Sequence, residues 1–220
     1  MRIPKNWTFK DNDVANSFDN HVREQLPWYD LVTEAVRHLI LSYIPQGGRM
    51  LDIGASTGNL TNGFNDLAAR NVSVSAYDDS PDMIVKYKGQ GNIECADIVE
   101  LANNNLIGEF DVCVLFLTVM FIPVSKRAKL MEHLMSKCRV GGCIIVVDKS
   151  TMKGGYLGTV LARMALKFKL SAGASPDEIL KKDLSLSGVQ MPTDFDQSSD
   201  YVKWFQIGEF SGYIYERGAV

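Results

Sequence analysis

Short apolar runs alternate with stretches of helical periodicity through the middle of the chain. The runs that predict strands cover residues 49–53, 72–77, 92–96, 111–117 and 143–148. The run at 111–117 is almost wholly apolar, which is typical of a strand buried on both faces of a parallel sheet. Helical patterns lie between the runs, including one from the turn after Ile53 to about Arg70. This alternation predicts an α/β fold with a doubly wound, mostly parallel sheet.

The two ends of the chain have different patterns. Residues 1–27 are polar and predict an irregular segment, whereas apolar residues recur on one side of a helix from Trp28 to Tyr43. Further helical patterns, at 156–168 and 177–183, precede a loop-like stretch over residues 185–199. Two apolar runs that flank Gly208 then predict an antiparallel hairpin, which completes a seven-stranded sheet.

We therefore expect one domain over residues 1–220. Its parts would be an N-terminal helical cap (1–46), a ligand-binding core (47–149), an insertion with substrate contacts (150–199) and the closing hairpin (200–217). The composition, 46% hydrophobic and 22% charged, is that of a soluble globular protein. No apolar run reaches about 20 residues and no signal-peptide core follows Met1, so we predict a cytoplasmic protein without a membrane span.

A glycine-rich turn follows the first predicted strand. Asp52 stands two residues before Gly54, and Gly58 ends the turn. Because glycine lacks a Cβ, the backbone of such a turn can approach a ligand closely. The next predicted strand leads into Asp78, where an acidic side chain can accept hydrogen bonds from the two hydroxyls of a ribose. The turn and the acidic residue together predict a nucleoside-binding site at the carboxyl ends of the strands.

The spacing of these glycines differs from the G-x-G-x-x-G pattern of dinucleotide-binding folds. It resembles motif I of the class I methyltransferases that depend on S-adenosylmethionine (SAM). That resemblance implies a Rossmann-like class I methyltransferase fold, a transferase activity and SAM as the cofactor. Asp52, next to the turn, suits the ammonium group of the cofactor's amino-acid tail.

Several further segments resemble the carboxy-SAM synthases, bacterial enzymes that make carboxy-SAM from SAM and prephenate for tRNA wobble-uridine modification. These segments begin at Trp7, Leu26, Asp78, Ala96 and Trp204, and they follow one another in the family's order. The likeness is densest over residues 7–149. It implies SAM or carboxy-SAM as the bound cofactor, and a homodimer as the assembly.

The resemblance also implies roles for individual residues. Tyr29 would lie against the amino-acid end of the cofactor, Asp78 would hold the ribose, and Asp97 with Ile98 would contact the adenine. The full set of predicted cofactor-binding residues is Tyr29, Asp52, Gly54, Ala55, Ser56, Gly58, Asp78, Asp79, Asp97, Ile98 and Phe116.

The chain departs from the family at the reactive end of the ligand. Phe116 stands where the family has an asparagine, and Asp183, or Lys182 after a one-residue slip, stands where it has an arginine that binds the extra carboxylate. Aspartate cannot pair with a carboxylate, and lysine lacks the planar fork of arginine. The pattern therefore favours a relative that binds SAM and uses it differently.

The catalytic residues stay open at this point, because methyl transfer from a sulfonium depends mainly on positioning. Candidates are Tyr29, Asp148, Lys149 and Lys182. Residues 149–182 also carry a local excess of lysine and arginine, which is a candidate surface for a small anion or for RNA, or else a solvated helix face. The three histidines and four cysteines show no metal-ligand spacing, so we predict no metal site and reduced thiols.

Three functions remain open from the sequence. The first is a SAM-dependent transferase, with methyl transfer to a small anionic molecule or a nucleic acid as the default chemistry. The second is carboxy-SAM synthesis, with Lys182 in place of the missing arginine. The third is a catalytically silent SAM-binding partner protein that keeps the pocket without the chemistry.

Overall fold

The computed structural model describes residues 3–151 and 154–218. The helices are α1 (Asn12–Gln25), α2 (Tyr29–Tyr43), α3 (Asn65–Ala69), α4 (Pro81–Ile84), α5 (Ile98–Asn103), α6 (Val124–Lys137), α7 (Tyr156–Ser171) and α8 (Pro176–Ser185). The strands are β1 (Arg49–Ile53), β2 (Ser73–Asp78), β3 (Asn92–Cys95), β4 (Phe110–Phe116), β5 (Cys138–Lys149), β6 (Val202–Ile207) and β7 (Phe210–Glu216).

These strands form one seven-stranded sheet in the order β3-β2-β1-β4-β5-β7-β6. The pairs from β3 to β5 are parallel, β7 is antiparallel to β5, and β6 is antiparallel to β7. The chain therefore moves outward from β1 in both directions, and a crevice is expected at the carboxyl ends of β1 and β4, where the order reverses. The predicted fold class, including the C-terminal hairpin, is confirmed.

Helices cover both faces of the sheet, and β4 shows why its sequence is apolar throughout. Val112 and Val114 pack with α2 on one face, whereas Cys113 and Leu115 pack with α5 and α6 on the other. Side chains alternate between the faces of a strand, so a central strand with helices on both sides needs apolar residues at every position.

The prediction of an irregular first segment was wrong, because residues 12–25 form α1. Asp11 caps this helix by accepting hydrogen bonds from the backbone nitrogens of Asp13 and Val14, at 2.9 and 3.1 Å. Val14 and Val22 are buried, and they lie eight residues apart on one side of the helix. The high polar content of the segment belongs to the opposite, solvated side.

Two further boundaries differ from the prediction. The segment after the glycine turn runs through turns, and helix geometry is confined to α3, because Gly58 and Gly63 adopt φ values of 86° and 71° that a helix does not allow. Strand β5 begins at Cys138, five residues before the predicted start, and its register with β4 shifts between Phe110 and Val112.

The insertion holds α7 and α8, longer than the helices predicted there. None of the residues of α7 is fully buried. Helix α8 begins with a capping box, in which the Ser175 hydroxyl and the Glu178 carboxylate each bond the other's backbone nitrogen. Helix α8 also holds the N-terminal segment, since the backbone nitrogen of Trp7 donates to the Ser185 carbonyl at 2.8 Å.

Candidate functional site

A cavity of about 360 Å³ lies at the carboxyl ends of the parallel strands. Its floor comes from the turns after β1, β2, β3 and β4, and its cover comes from α1, the start of α2 and α8. This is the position expected for the ligand of a doubly wound sheet, and the volume is in the range of small-molecule sites.

The glycine turn is shaped by Thr118, a residue that the sequence analysis did not single out. The Thr118 hydroxyl donates to the Ile53 carbonyl at 2.9 Å. A Cβ at residue 54 would meet that hydroxyl at 2.4 Å, and Gly54 has a φ of 73°. Both the close approach and the backbone conformation therefore require glycine at this position. Gly54, Ala55 and Ser56 line the cavity, whereas Gly58 packs behind the turn against Gly89.

Asp52 places a carboxylate at the cavity without a counter-charge. Its side chain is buried, and its Oδ2 atom has no hydrogen-bond partner among the described residues. Burial, and then the neighbouring charge of Asp78, raise the pKa of Asp52 to about 7. A cationic group in the cavity would supply the missing partner.

Asp78 is held rigidly by backbone groups. Its Oδ2 accepts a hydrogen bond from the Ser56 nitrogen and its Oδ1 accepts one from the Ser80 nitrogen, both at 2.9 Å. Burial raises the pKa of Asp78. Asp79, the next residue, also lines the cavity but is exposed and pairs with Lys10 at 2.9 Å.

The wall beyond β3 is formed by Asp97 and Ile98. Asp97 caps α5, because its Oδ1 accepts a hydrogen bond from the Val99 nitrogen at 2.8 Å. Ile98 is buried and lines the cavity beside it. A carboxylate next to an apolar side chain is a suitable surface for a flat, polar-edged ring system.

Two aromatic side chains meet where β4 ends. The rings of Tyr29 and Phe116 lie 5.3 Å apart at 49°, and both line the cavity. Burial raises the pKa of Tyr29, so its hydroxyl stays protonated. The face of an aromatic ring attracts a cation, so this pair suits a positively charged ligand group.

The candidate catalytic residues separate into two groups. Tyr29, Lys149 and Lys182 line the cavity. Asp148 is absent from its wall: the side chain is fully buried, and its oxygens accept hydrogen bonds from the backbone nitrogens of Met120 and Lys149, at 3.1 and 2.9 Å. Burial raises the pKa of Asp148 to about 7, and its hydrogen bond from Met120 ties β5 to the turn after β4.

The N-terminal segment supplies cavity residues that the sequence analysis missed. They are Trp7, Phe9, Phe18, His21, Val22 and Gln25. His21 is buried and stacks on Trp7 with ring centroids 5.9 Å apart. The spacing of Phe18, Val22 and Gln25 on one side of α1, together with the cap at Asp11, is the signal that predicts this helix face.

The basic segment divides between the cavity and the surface. Lys149, Lys169 and Lys182 line the cavity, as does Asp183. Arg163 and Lys167 are exposed on α7, and Lys181 pairs with Asp177 at 2.6 Å on the exposed side of α8. Lys153 lies outside the described residues.

Within residues 3–151 and 154–218, no cluster of histidine, cysteine and acidic side chains could hold a metal ion. His38 is exposed on α2, and His133 is half-buried on α6. The same part of the chain contains no helix with the length and apolar character needed to cross a bilayer.

Comparison with known proteins agrees with this architecture. No protein-family model matches the chain. A carboxy-SAM synthase of Staphylococcus epidermidis is 27% identical over 226 residues, covering 96% of this chain and 97% of that protein. A carboxy-SAM synthase of Ruthia magnifica subsp. Calyptogena magnifica is 28% identical, covering 95% of this chain and 88% of that protein.

Among solved structures, the plantazolicin methyltransferase BpumL, in complex with a pentazolic substrate analogue and SAH, superposes with a TM-score of 0.62. It is 15% identical, over 95% of this chain and 93% of that one. The relatives are synthases of a SAM derivative and the structural neighbour is a methyltransferase with SAH bound, which agrees with the predicted cofactor and with an enzymatic role. The chain thus has the fold of the class I SAM-dependent methyltransferases, and its sequence resembles the carboxy-SAM synthases over nearly its whole length.

Proposed function

We propose that the protein is a SAM-dependent transferase that passes a one-carbon group from SAM to a small molecule held in the same cavity. The observation that carries the proposal is the unpartnered Oδ2 atom of buried Asp52, next to a turn where only glycine fits. A buried carboxylate without a partner is costly, and the ammonium group of the cofactor's amino-acid tail would stabilise it.

The other polar groups of this wall have acceptor capacity left for a nucleoside. Each oxygen of Asp78 accepts one backbone hydrogen bond, and a carboxylate oxygen has a second lone pair for a ribose hydroxyl. Asp97 caps α5 through its Oδ1 atom, so its Oδ2 atom can accept a hydrogen bond from a nucleoside. Tyr29 and Phe116 would place aromatic faces near the cofactor's positive charge.

SAM supplies a carbon that is already activated by a positively charged sulfur. The protein's own contribution is to hold the acceptor in line and to exclude water, which supplies most of the rate in such reactions. The aromatic rings of Trp7, Phe9 and Phe121 form an apolar part of the wall, with the ring centroids of Phe9 and Phe121 4.9 Å apart in edge contact.

A small acceptor is favoured over a nucleic acid by where the lysines lie. Nucleic-acid binding uses exposed cations along a surface. Here Lys149, Lys169 and Lys182 turn into the cavity, under a cover formed by α1 and α8. An acceptor therefore has to enter the cavity to meet them.

Carboxy-SAM synthesis is a second candidate, and the resemblance to carboxy-SAM synthases over 96% of the chain supports it. In this case Lys182 would stand in for the arginine that the family uses on the extra carboxylate. Asp183, which also lines the cavity, would oppose that role because its own carboxylate repels the ligand's.

Mass spectrometry of the small molecule that co-purifies with the full chain tests both functions. SAM or SAH, with binding confirmed by calorimetric titration, is the expected result, and carboxy-SAM would make the second function primary. Failure of SAM, SAH and carboxy-SAM to bind would contradict both. Release of SAH from SAM with an extract of small metabolites then separates a transferase from a silent SAM-binding protein.

A further inference from the structure

Three lysines from three separate elements meet at the wall of the cavity. Lys149 ends β5, Lys169 lies in the last turns of α7, and Lys182 lies in α8. All three side chains are at least partly buried, and the Lys149 side chain is only 20% exposed. We call Lys149, Lys169 and Lys182 the lysine cluster.

The protein's own carboxylates only partly balance this cluster. Lys149 Nζ lies 3.3 Å from Glu209 Oε2 and 3.2 Å from Gln190 Oε1. In the part of the chain that the structure describes, neither Lys169 nor Lys182 has a carboxylate oxygen within ion-pairing distance. The side-chain nitrogen of Lys182 lies instead over the ring of Trp7.

The cluster is therefore electrostatically unfavourable when the cavity holds no anion. Burial, and then the charge of Lys169, lower the pKa of Lys182 to about 5. Burial also lowers the pKa of Lys169, with repulsion from Lys149 adding to the effect and Glu209 opposing it. Long cationic side chains normally extend their charge into water or pair it, and these three converge on a cavity.

The side of the cavity that carries Asp52, Asp78 and Asp97 is called the cofactor wall below. The sheet sets the distance between this wall and the lysine cluster. Asp97 follows β3, and Lys149 ends β5. Four strand spacings separate β3 from β5 in the sheet order, a distance of about 19 Å. A ligand whose base lies at Asp97 and whose ammonium group meets Asp52 would leave the β5 end of the cavity for the second substrate.

From these contacts we infer that the lysine cluster is an anion subsite, which binds a carboxylate or phosphate group of the small molecule that reacts with the cofactor. The inference rests on the proposed function, since it assigns the second substrate of that reaction. Ammonium groups are compact donors without the planar geometry of arginine, so the subsite accepts either anion. Glu209 and Asp183 limit the net positive charge and so favour a single small anion.

The test uses the full chain saturated with SAH, titrated calorimetrically with succinate and separately with inorganic phosphate. At least one of these probes should bind, and Lys169→Gln should weaken that probe at least tenfold. Dimethyl succinate, which keeps the carbon chain without the charges, should not bind. The stronger probe tells whether the subsite is for carboxylate or for phosphate.

Matched controls lie next to two of the lysines. Lys167→Gln, on the exposed side of α7, and Lys181→Gln, on the exposed side of α8, remove the same charge outside the cavity and should change the anion affinity less than twofold. Lys169→Met, which keeps the aliphatic stem, replaces Lys169→Gln if that variant does not fold.

The inference is overturned if SAH binds and neither anion does, or if Lys167→Gln weakens anion binding as much as Lys169→Gln. Loss of SAH binding itself would instead contradict the proposed function. The two failures are therefore distinguishable in one set of titrations.

Discussion

The two ends of the cavity are stabilised in opposite ways. At the cofactor wall, Asp78 and Asp97 are each held by a backbone nitrogen two residues further along the chain. At the lysine cluster, the cations come from three elements, and two of them have no carboxylate partner within the described residues. The first end is preorganised without a ligand, whereas the second is left with unbalanced charge that a ligand anion would neutralise.

This contrast indicates a division of roles within one cavity. Local hydrogen bonds keep a binding surface rigid, which reduces the entropy lost when a ligand binds. A cluster of buried like charges lowers stability, and perturbed groups of this kind concentrate at functional sites, where a ligand of opposite charge can bind them. Three substitutions test this division of roles.

The largest effect is expected at the preorganised end. Asp78→Ala removes the predicted ribose partner and should weaken SAM binding at least a hundredfold, as measured by calorimetry, with the far-ultraviolet circular dichroism unchanged. Asp66→Ala is the control, because this aspartate is exposed on α3 outside the cavity and should leave the affinity unchanged. An unchanged SAM affinity in Asp78→Ala would contradict the assignment of this wall to the cofactor.

A smaller, pH-dependent effect is expected at Asp52. The carboxylate must be ionised to pair with an ammonium group, and burial raises the pKa of Asp52 to about 7. SAM affinity should therefore fall about tenfold per unit as the pH drops below 7, and it should level off above that value. The slope should disappear in Asp52→Asn; a slope that persists in that variant would assign the titration to another group.

The smallest effect, on stability alone, is expected at Lys182. Its pKa is lowered to about 5 in the folded protein, against about 10.4 in an unfolded chain. The unfolded state therefore binds more protons between these values, so the present side chain costs most stability at the acidic end of that window. Lys182→Met should raise the melting temperature by several degrees at pH 6, with a gain that shrinks towards pH 10.

Lys181→Met is the control for that change, because Lys181 is exposed and paired with Asp177. A fully exposed ion pair is screened by water and contributes little to stability, so the melting temperature of this variant should fall slightly or stay the same. A loss of stability in Lys182→Met would mean that the contact with Trp7 outweighs the cost of burying the amine.

The position of Gly54 and Asp78 at the cavity could be predicted because its signals are local. A glycine turn that follows an apolar strand, and an acidic residue at the end of the next strand, lie within about 25 residues of sequence, and parallel strands bring them to one edge. The prediction was wrong for α1, where polar residues outnumber those of the buried side. The sequence of helix α1 looks polar because its few buried residues, such as Val14 and Val22, are separated by polar ones on the solvated side.

The exclusion of Asp148 shows a different limit. Asp148 and Lys149 both lie at the carboxyl end of β5, so the sequence alone does not distinguish them. In the structure only Lys149 lines the cavity. Adjacent residues of a strand point to opposite faces, and one of the backbone nitrogens that bind Asp148, that of Met120, comes from a turn 28 residues away. Neither fact is visible in the local pattern.

The order of the strands, the sheet class, the C-terminal hairpin and the glycine turn at the cavity follow from the sequence alone, because these depend on periodicity and on glycine's backbone freedom. In contrast, the position of α1 and α8 over the cavity depends on tertiary packing. The same packing brings Lys149, Lys169 and Lys182 together there. Charges distant in sequence become one site only when packing brings their elements together and removes water from between them. That proximity raises the energy of the cluster, and it is a property of the fold as a whole.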